Sequence, residues 1–244
     1  MMIFFCCSVS LADVTQELVY KVSQNGTAIG ERKIQITYLP TSKRSPWGGK
    51  KIDFHTKLAL NIAGNPIQYE QRGAAQFSPD RASFVVSNQI NQDLVELQGR
   101  RISSGTWIVH SIHNGVARKV EFPGTEVKDI SIEMFGMEYW MEADPLNLLV
   151  VDSVDMYKIN GVWNEDKSIS YPQKHKEQAE RFLAFYNDGI HINTVYNKDG
   201  ILLYGNVQIQ GVQLEVSLST EIKELSFGDV LIPAGFEGIN EKDL

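Results

Sequence analysis

The chain has 244 residues, and its 30 Asp and Glu outweigh its 23 Lys and Arg for a formal net charge of −7 at pH 7. Hydrophobic residues make up 43% and charged residues 22%, an ordinary globular composition that excludes a largely disordered chain. The negative charge and the lack of a Lys- and Arg-rich run exclude a nucleic-acid-binding protein, because a polyanionic backbone would be repelled. No linker divides the chain, so we expect one β-rich domain over 13–244.

The first twelve residues carry no charge and are rich in Met, Ile, Phe, Cys and Val. Ser10 and Ala12 place small residues three and one positions before a signal-peptidase cut at Asp13. We therefore predict a truncated signal peptide at 1–12 and an exported protein of the periplasm or cell envelope, with a buried first strand as the alternative. Cys6 and Cys7 both lie in this stretch, so cleavage would leave no disulfide and no Cys-based metal site.

Alternation of apolar and polar residues with period two begins at 17–23 and resumes after the Asn25-Gly26 turn. The breaker-rich stretch 41–51 is predicted to be a loop. The clearest strand, 52–62, would be about 35 Å long at about 3.3 Å per residue, which is typical of a large sheet. Further strands are predicted at 67–77, 82–87, 94–98, 106–112 and 116–122. Turns at this spacing predict an antiparallel meander.

Two later segments leave alternatives open. Residues 130–140 fit either a helix or a strand followed by a helical turn, while 145–151 reads as a short helix or a buried turn and 156–162 as a strand. Residues 173–187 have helical spacing at Ala179, Phe182, Leu183 and Tyr186, and they also alternate tolerably as a strand. Propensity favours a helix for the first half of this segment, and continuity with the sheet that follows the Asn-Asp-Gly turn favours a strand for the second, so we predict a strand at 180–186.

The stretch 190–218 shows the alternation most completely. Ile190, Ile192, Thr194 and Tyr196 share one predicted face, and the opposite face of the same strand, including Val195, is predicted to be the more polar one. Two further strands follow across turns near 198–200 and at Gly211. The predicted fold is therefore mainly β: a large curved antiparallel meander sheet forming an open half-barrel, with one or two short helices as candidates to cover its concave face.

The sequence contains no motif that indicates an enzyme. A G-x-S-x-G elbow, a phosphate-binding Gly-rich loop and an H-E-x-x-H motif are all missing. His110 and His113 would point to opposite faces of one strand, which argues against a shared metal. His55 and His191 fall on polar strand faces, where a solvated or hydrogen-bonded His is expected. We expect no catalytic residue, no cofactor and no metal.

Large apolar side chains are the better candidates for a functional site. Aromatic and Met side chains line adaptable apolar pockets, although they also fill cores. A curved sheet that does not close needs something against its concave face, either its own chain or a ligand. The predicted ligand-binding residues are Phe54, Leu58, Trp107, Met134, Met137, Trp140 and Leu214.

Both ends of the chain resemble a known group of proteins. The opening 18–22 with Asn25-Gly26 and Ile29-Gly30, and the late 194–202 followed by 212–218, are similar to uncharacterised exported bacterial proteins related to the LolA/LolB-like half-barrel superfamily. The middle of the chain does not match, and Val195 stands where that group usually has Trp. The resemblance implies a curved sheet that holds acyl chains.

Two functions follow as expectations. The first is an exported envelope protein that binds or carries a lipid or other hydrophobic small molecule in the concave face of the sheet. The alternative is a non-catalytic envelope scaffold whose core is filled by its own side chains and whose partner is another envelope protein. Under both expectations the protein does not span the membrane, because many strand faces carry Lys and Glu.

Overall fold

The computed structural model describes residues 14–39, 49–78, 81–125, 129–132, 148–151, 154–187, 189–209, 211–219 and 223–224. The predicted signal peptide at 1–12 and most of the predicted loop at 41–51 lie outside these residues. Within them almost every segment is a β-strand. No helix in the described part of the chain is both long and apolar enough to cross a membrane.

Consecutive strands of the first half of the chain pair antiparallel with one another. They are β1 (Val14–Gln24), β2 (Thr27–Leu39), β3 (Gly49–Ile62), β4 (Asn65–Ser78), β5 (Arg81–Ile90), β6 (Asp93–Arg101), β7 (Trp107–His113) and β8 (Val116–Phe122). Asn25, Ala63, Asn91 and Asn114 each begin a two-residue turn with positive φ, which matches the twist of the flanking strands. The predicted meander is confirmed here, and each strand lies within a few residues of its predicted position.

The second half contains shorter strands. They are β9 (Asp129–Ile132), β10 (Leu148–Val151), β11 (Lys158–Ile159), β12 (Val162–Glu165), β13 (Arg181–Tyr186), β14 (Ile190–Tyr196), β15 (Leu202–Ile209), β16 (Val212–Leu218) and β17 (Lys223–Glu224). The predicted strand at 180–186 is confirmed as β13. Pro172 precedes a single 3-10 turn, Gln173–His175.

One large antiparallel sheet contains most of these strands. In the described residues its order is β12-β13-β14-β15-β16-β1-β2-β3-β4-β5-β6-β7-β8, with β17 also paired to β1. The two halves of the chain join where β1 pairs with β16, with Tyr20 opposite Leu218. Strands β8 and β12 end the order without pairing in the described residues, so the sheet is curved but not closed, as predicted. Strands β9, β10 and β11 form a separate small sheet.

The sheet curves around a continuous apolar core. Side chains from β1 through β8 and from β12 through β16 join one buried cluster, which also takes in Met156 and Ile159. Large rings are accommodated by glycine in the neighbouring strand: Phe54 lies opposite Gly73, and Phe84 lies opposite Gly99. A Cβ atom at either glycine would overlap the ring of the facing phenylalanine. We call this side of the sheet the interior face.

The opposite, outer face is covered over β13 to β16 by the segment 166–180, which we call the strap. In a second apolar cluster, Ile169 of the strap packs with Ala184, Val195 and Tyr204 of the sheet beneath it. Val195 is fully buried, whereas His191 and Asn193 on the same face of β14 are half-buried, so the predicted wetter face is covered at Val195. The local alternation of β14 could not reveal a covering segment that arrives from elsewhere in the chain.

Other predictions in the second half need correction. Residues 148–151 form β10, which pairs in parallel with β9, rather than a helix or a turn. The predicted strand at 156–162 is interrupted: only Lys158–Ile159 is strand before Gly161, whose Cβ would collide with the Phe185 ring. The described residues contain no α-helix over the concave face, and the one 3-10 turn, Gln173–His175, lies on the outer face. Most of 130–140 lies outside the described residues.

Candidate functional site

A row of polar side chains crosses the interior face among the apolar ones. The residues that pair directly across neighbouring strands are Tyr20, Arg32, Thr56, Gln71 and Asn88, on β1, β2, β3, β4 and β5 respectively. All five are buried. Burying a polar group costs free energy unless the group is hydrogen-bonded. A row of five such residues therefore requires hydrogen-bond partners inside the core.

Arg32 is the charged member of this row, and its residue surface is only 1% exposed. Its Nη1 donates hydrogen bonds to Thr56 Oγ1 at 2.9 Å and to Gln71 Oε1 at 3.2 Å. The guanidinium carbon lies 5.4 Å from the centroid of the Phe54 ring. Both acceptors are themselves buried, so they fix the orientation of the guanidinium. A planar guanidinium held in this way is suited to a carboxylate or a phosphate.

Four of the predicted ligand-binding residues lie in the described part of the chain, and all four belong to the interior core. The Phe54 ring lies beside the Arg32 guanidinium. Leu58 lies two residues after Thr56, on the same face of β3. Trp107 is fully buried, with its ring 5.7 Å from that of Phe84. Leu214 is partly buried against the same core on β16. Whether any of them binds a ligand remains a prediction.

The other three predicted residues, Met134, Met137 and Trp140, lie outside the described residues. The sequence reasoning also missed the polar row. Its signal was present, since Arg32 alternates in phase with Ile34 and Ile36, and Thr56 falls among the apolar positions of β3. Recognising a row, however, requires the register of five strands, which local alternation does not contain.

The interior face becomes accessible toward the β8 edge. Val116, which shares the interior face with Phe122, is 59% exposed, and Arg118 between them is exposed as well. The Arg118 guanidinium approaches the Asp155 carboxylate at 4.0 Å across the open side of the sheet. Tyr157 and Val162, which follow Asp155, are also exposed. The open side of the sheet therefore presents apolar side chains and one weak ion pair to solvent.

A charged cluster lies on the outer face of β3 and β4. Glu70 Oε1 is 2.7 Å from His55 Nε2 and accepts hydrogen bonds from Arg72 Nη2 and Nε at 2.6 and 2.9 Å. These bonds, first from Arg72 and then from His55, lower the pKa of Glu70 to about 2. The hydrogen-bonded His expected at position 55 is thus observed.

A cavity of about 410 Å³ lies beside this cluster, lined by residues of β2 to β5 that include Lys57, Gln68 and Gln89. Its polar groups largely bond to one another: Gln89 donates to the Asn91 carbonyl, and Asn91 Oδ1 accepts from the Gln68 backbone amide. Across the described residues, no group of three or more His, Cys, Asp or Glu side chains could hold a metal ion. The buried row around Arg32 therefore remains the strongest candidate site.

Comparison with known proteins supports the fold alone. No protein-family model matches the chain, and no curated protein matches it. Among solved structures, the chain is similar to a beta-barrel-like protein of a domain of unknown function, DUF1849, from Brucella abortus, with a TM-score of 0.54 and 12% sequence identity. The similarity covers 86% of this chain and 98% of that one. The chain thus has a barrel-like fold shared with a protein whose function is also unknown.

Proposed function

We propose that this protein binds an amphipathic molecule against the interior face of its sheet, with the anionic head group at Arg32 and the apolar part along the neighbouring core residues. The observation that carries the proposal is a fully buried arginine, oriented by Thr56 and Gln71 within a polar row that is flanked by apolar core residues. Charged hydrogen bonds in a dry site are strong, and apolar contact adds affinity without directional demands.

The route for such a molecule would be the open side of the sheet. Val116 and Arg118 on the interior face of β8 are exposed there, whereas Val109 and Ser111 on the same face of β7 are buried. The resemblance to LolA/LolB-like half-barrels agrees with this proposal, as does the export predicted from 1–12. A carrier of a lipid-like molecule in the cell envelope is the setting that we propose.

A second candidate is the self-filled scaffold. The full burial of Trp107 and the tight fit of Phe54 against Gly73 favour a core that its own side chains occupy. Under this alternative, Arg32 would only hold neighbouring strands together. The two candidates differ in whether an added amphiphile binds and whether its charge matters.

The test compares two fluorescent probes, cis-parinaric acid and its uncharged methyl ester, by titration into the delipidated full-length protein. We expect both to bind, and Arg32→Met to weaken the acid by about tenfold to a hundredfold while leaving the ester nearly unchanged, because a charged hydrogen bond contributes about 1.5–3 kcal/mol. Arg100→Met, at an exposed position on β6, is the matched control and should change neither affinity.

Circular dichroism shows whether Arg32→Met folds, and Gln71→Leu serves as a second variant because it removes one acceptor that orients the guanidinium and keeps the charge. It should weaken the acid more than the ester. If neither probe binds the wild-type protein, the proposal fails in favour of the self-filled scaffold. If both bind but Arg32→Met weakens them equally, the interior face binds apolar molecules and the head-group assignment is wrong.

A further inference from the structure

The strap crosses the outer face of four strands and returns. At its start the Asp166 amide donates to the Phe182 carbonyl at 3.1 Å, and at its end the Glu180 amide donates to the Tyr196 carbonyl at 2.9 Å. Between these two anchors on β13 and β14, Ile169 packs into the outer apolar cluster. The strap tip, the 3-10 turn at Gln173–His175, reaches β16 on the far side.

Two side-chain contacts attach the tip to β16. His175 is 2% exposed, and its Nε2 lies 3.2 Å from Ser217 Oγ. Lys174 Nζ donates to the Leu218 carbonyl oxygen at 2.8 Å. The His175 carbonyl also accepts from the Gln178 and Ala179 amides, so this residue fixes the turn that sends the strap back toward β13. His175 is therefore the residue on which the position of the tip depends most.

Burial and a neighbouring positive charge disfavour a proton on His175. Lys174 is its neighbour on the strap, and Lys21 of β1 lies opposite Ser217 in the sheet register. Burial, and then Lys174, lower the pKa of His175. Burial and then Lys21 likewise lower the pKa of Lys174. The ring is thus held neutral at pH 7, and a neutral ring can form a hydrogen bond with the serine hydroxyl.

The remaining titratable groups on the facing elements do not offset this. The Glu215 carboxylate of β16 already accepts from Gln213 Nε2 at 2.7 Å and lies near Ser23 and Asn206. Tyr204 of β15 is buried, and burial raises the pKa of its hydroxyl, so it stays neutral. Lys176 and Glu177 on the strap itself are exposed and of opposite charge.

We propose that the strap is an acid-released clasp: protonation of His175 detaches the tip from β16, withdraws Ile169 of the strap from the outer apolar cluster and uncovers Ala184, Val195 and Tyr204 on the sheet. The direction of the pH dependence follows from the linkage between strap closure and protonation of His175. With the strap open, His175 titrates near its ordinary pKa of about 6.5, whereas closure lowers that pKa. The open form therefore takes up the proton first, and closure weakens as the pH falls below about 6.5 until the lowered pKa is reached.

Hydrogen exchange measured by mass spectrometry on the full chain tests the clasp. After correction for the intrinsic rate, amides in 166–180 should lose protection by up to about tenfold between pH 7.5 and 5.5, the limit for one proton over that range. Peptides from β3 and β4 should keep their protection and so report that the sheet stays folded. An unchanged strap, or a strap that changes only together with β3 and β4, overturns the proposal.

His175→Gln is the matched variant, because the Gln amide can approach Ser217 from the position of Nε2 but does not titrate. Its strap should be protected equally at both pH values. If the strap of His175→Gln is unprotected at both pH values, Ser217→Ala tests the proposal instead, since it removes the hydroxyl and keeps the buried His175 ring. A strap that is weaker than wild type and still pH-dependent in Ser217→Ala supports the clasp, and a pH-independent one contradicts it.

Discussion

Among single residues, Glu70 shows how a surface carboxylate stabilises neighbouring strands. It joins His55 and Lys57 of β3 to Arg72 of its own strand, with Lys57 Nζ at 3.6 Å. The lowered pKa, about 2 against 4.5, means that folding favours the ionised form. This stabilisation is therefore complete above pH 4.5 and is lost as the pH falls from 4.5 toward 2.

We expect Glu70→Gln to lower the free energy of unfolding by about 1 kcal/mol at pH 7, because solvent screens a partly exposed cluster. The difference from wild type should shrink when urea unfolding is repeated at pH 3. Glu31→Gln is the control, since the Glu31–Lys33 pair is about half exposed on both sides and should contribute less. A Glu70→Gln effect of equal size at both pH values would contradict the assignment.

The glycines of the sheet allow a second prediction about single residues. A Cβ on Gly73 would overlap the Phe54 ring and lie 2.5 Å from the Val85 carbonyl oxygen, which is backbone and cannot easily move. Gly73→Ala should therefore cost about 1–3 kcal/mol in chemical unfolding. At Gly205 the nearest atom would be 3.8 Å away, so Gly205→Ala should be neutral or stabilising by about 0.5 kcal/mol. Equal effects at both positions would show that packing does not limit Gly73.

Among the elements, β14 differs from what its alternation suggests, because it is covered on both faces. Ile192 packs into the interior core, and Val195 packs into the outer cluster beneath the strap. Strands buried on both faces cannot be read from alternation, since neither face needs polar residues. Burial beneath the strap therefore decides which side chains β14 tolerates.

Val195→Thr tests this double burial. It keeps the shape and adds a hydroxyl in an apolar site, so we expect a loss of about 1–2 kcal/mol in thermal or urea unfolding. Val162→Thr on β12, where the side chain is exposed, should change stability by less than about 0.5 kcal/mol. If Val195→Thr proved as mild as Val162→Thr, the outer face of β14 would be solvated and the strap would not be packed against it.

At the scale of the whole molecule, one long-range strand pairing joins the two halves of the sheet, and the sheet stays open between its end strands. β1 pairs with β2 locally and with β16 across nearly the full described sequence, so the two runs of hairpins become one curved surface. Such pairing carries a high entropic cost of closure. At the other ends of the sheet, β8 and β12 do not pair within the described residues, which leaves the interior face accessible there.

The sequence by itself determined the class of fold, because period-two alternation and Asn-Gly turns are local signals that need no partner. The predicted strand at 116–122 coincides with β8, and the open antiparallel meander is as expected. The parallel pairing of β10 with β9 was not foreseeable, since parallel strands are joined by a crossover of about a dozen residues or more and so have no tight turn to recognise in the sequence.

Only the tertiary structure decided where the polar groups meet. Arg32, Thr56, Gln71 and Asn88 are unremarkable within their own strands, and the register of four hairpin-linked strands makes them one buried row. His175 likewise reads as a surface residue until the strap places it against Ser217. Local patterns indicate which face of a strand joins the interior core, whereas covering segments decide whether the other face is also buried, and pairing register decides what each buried group contacts.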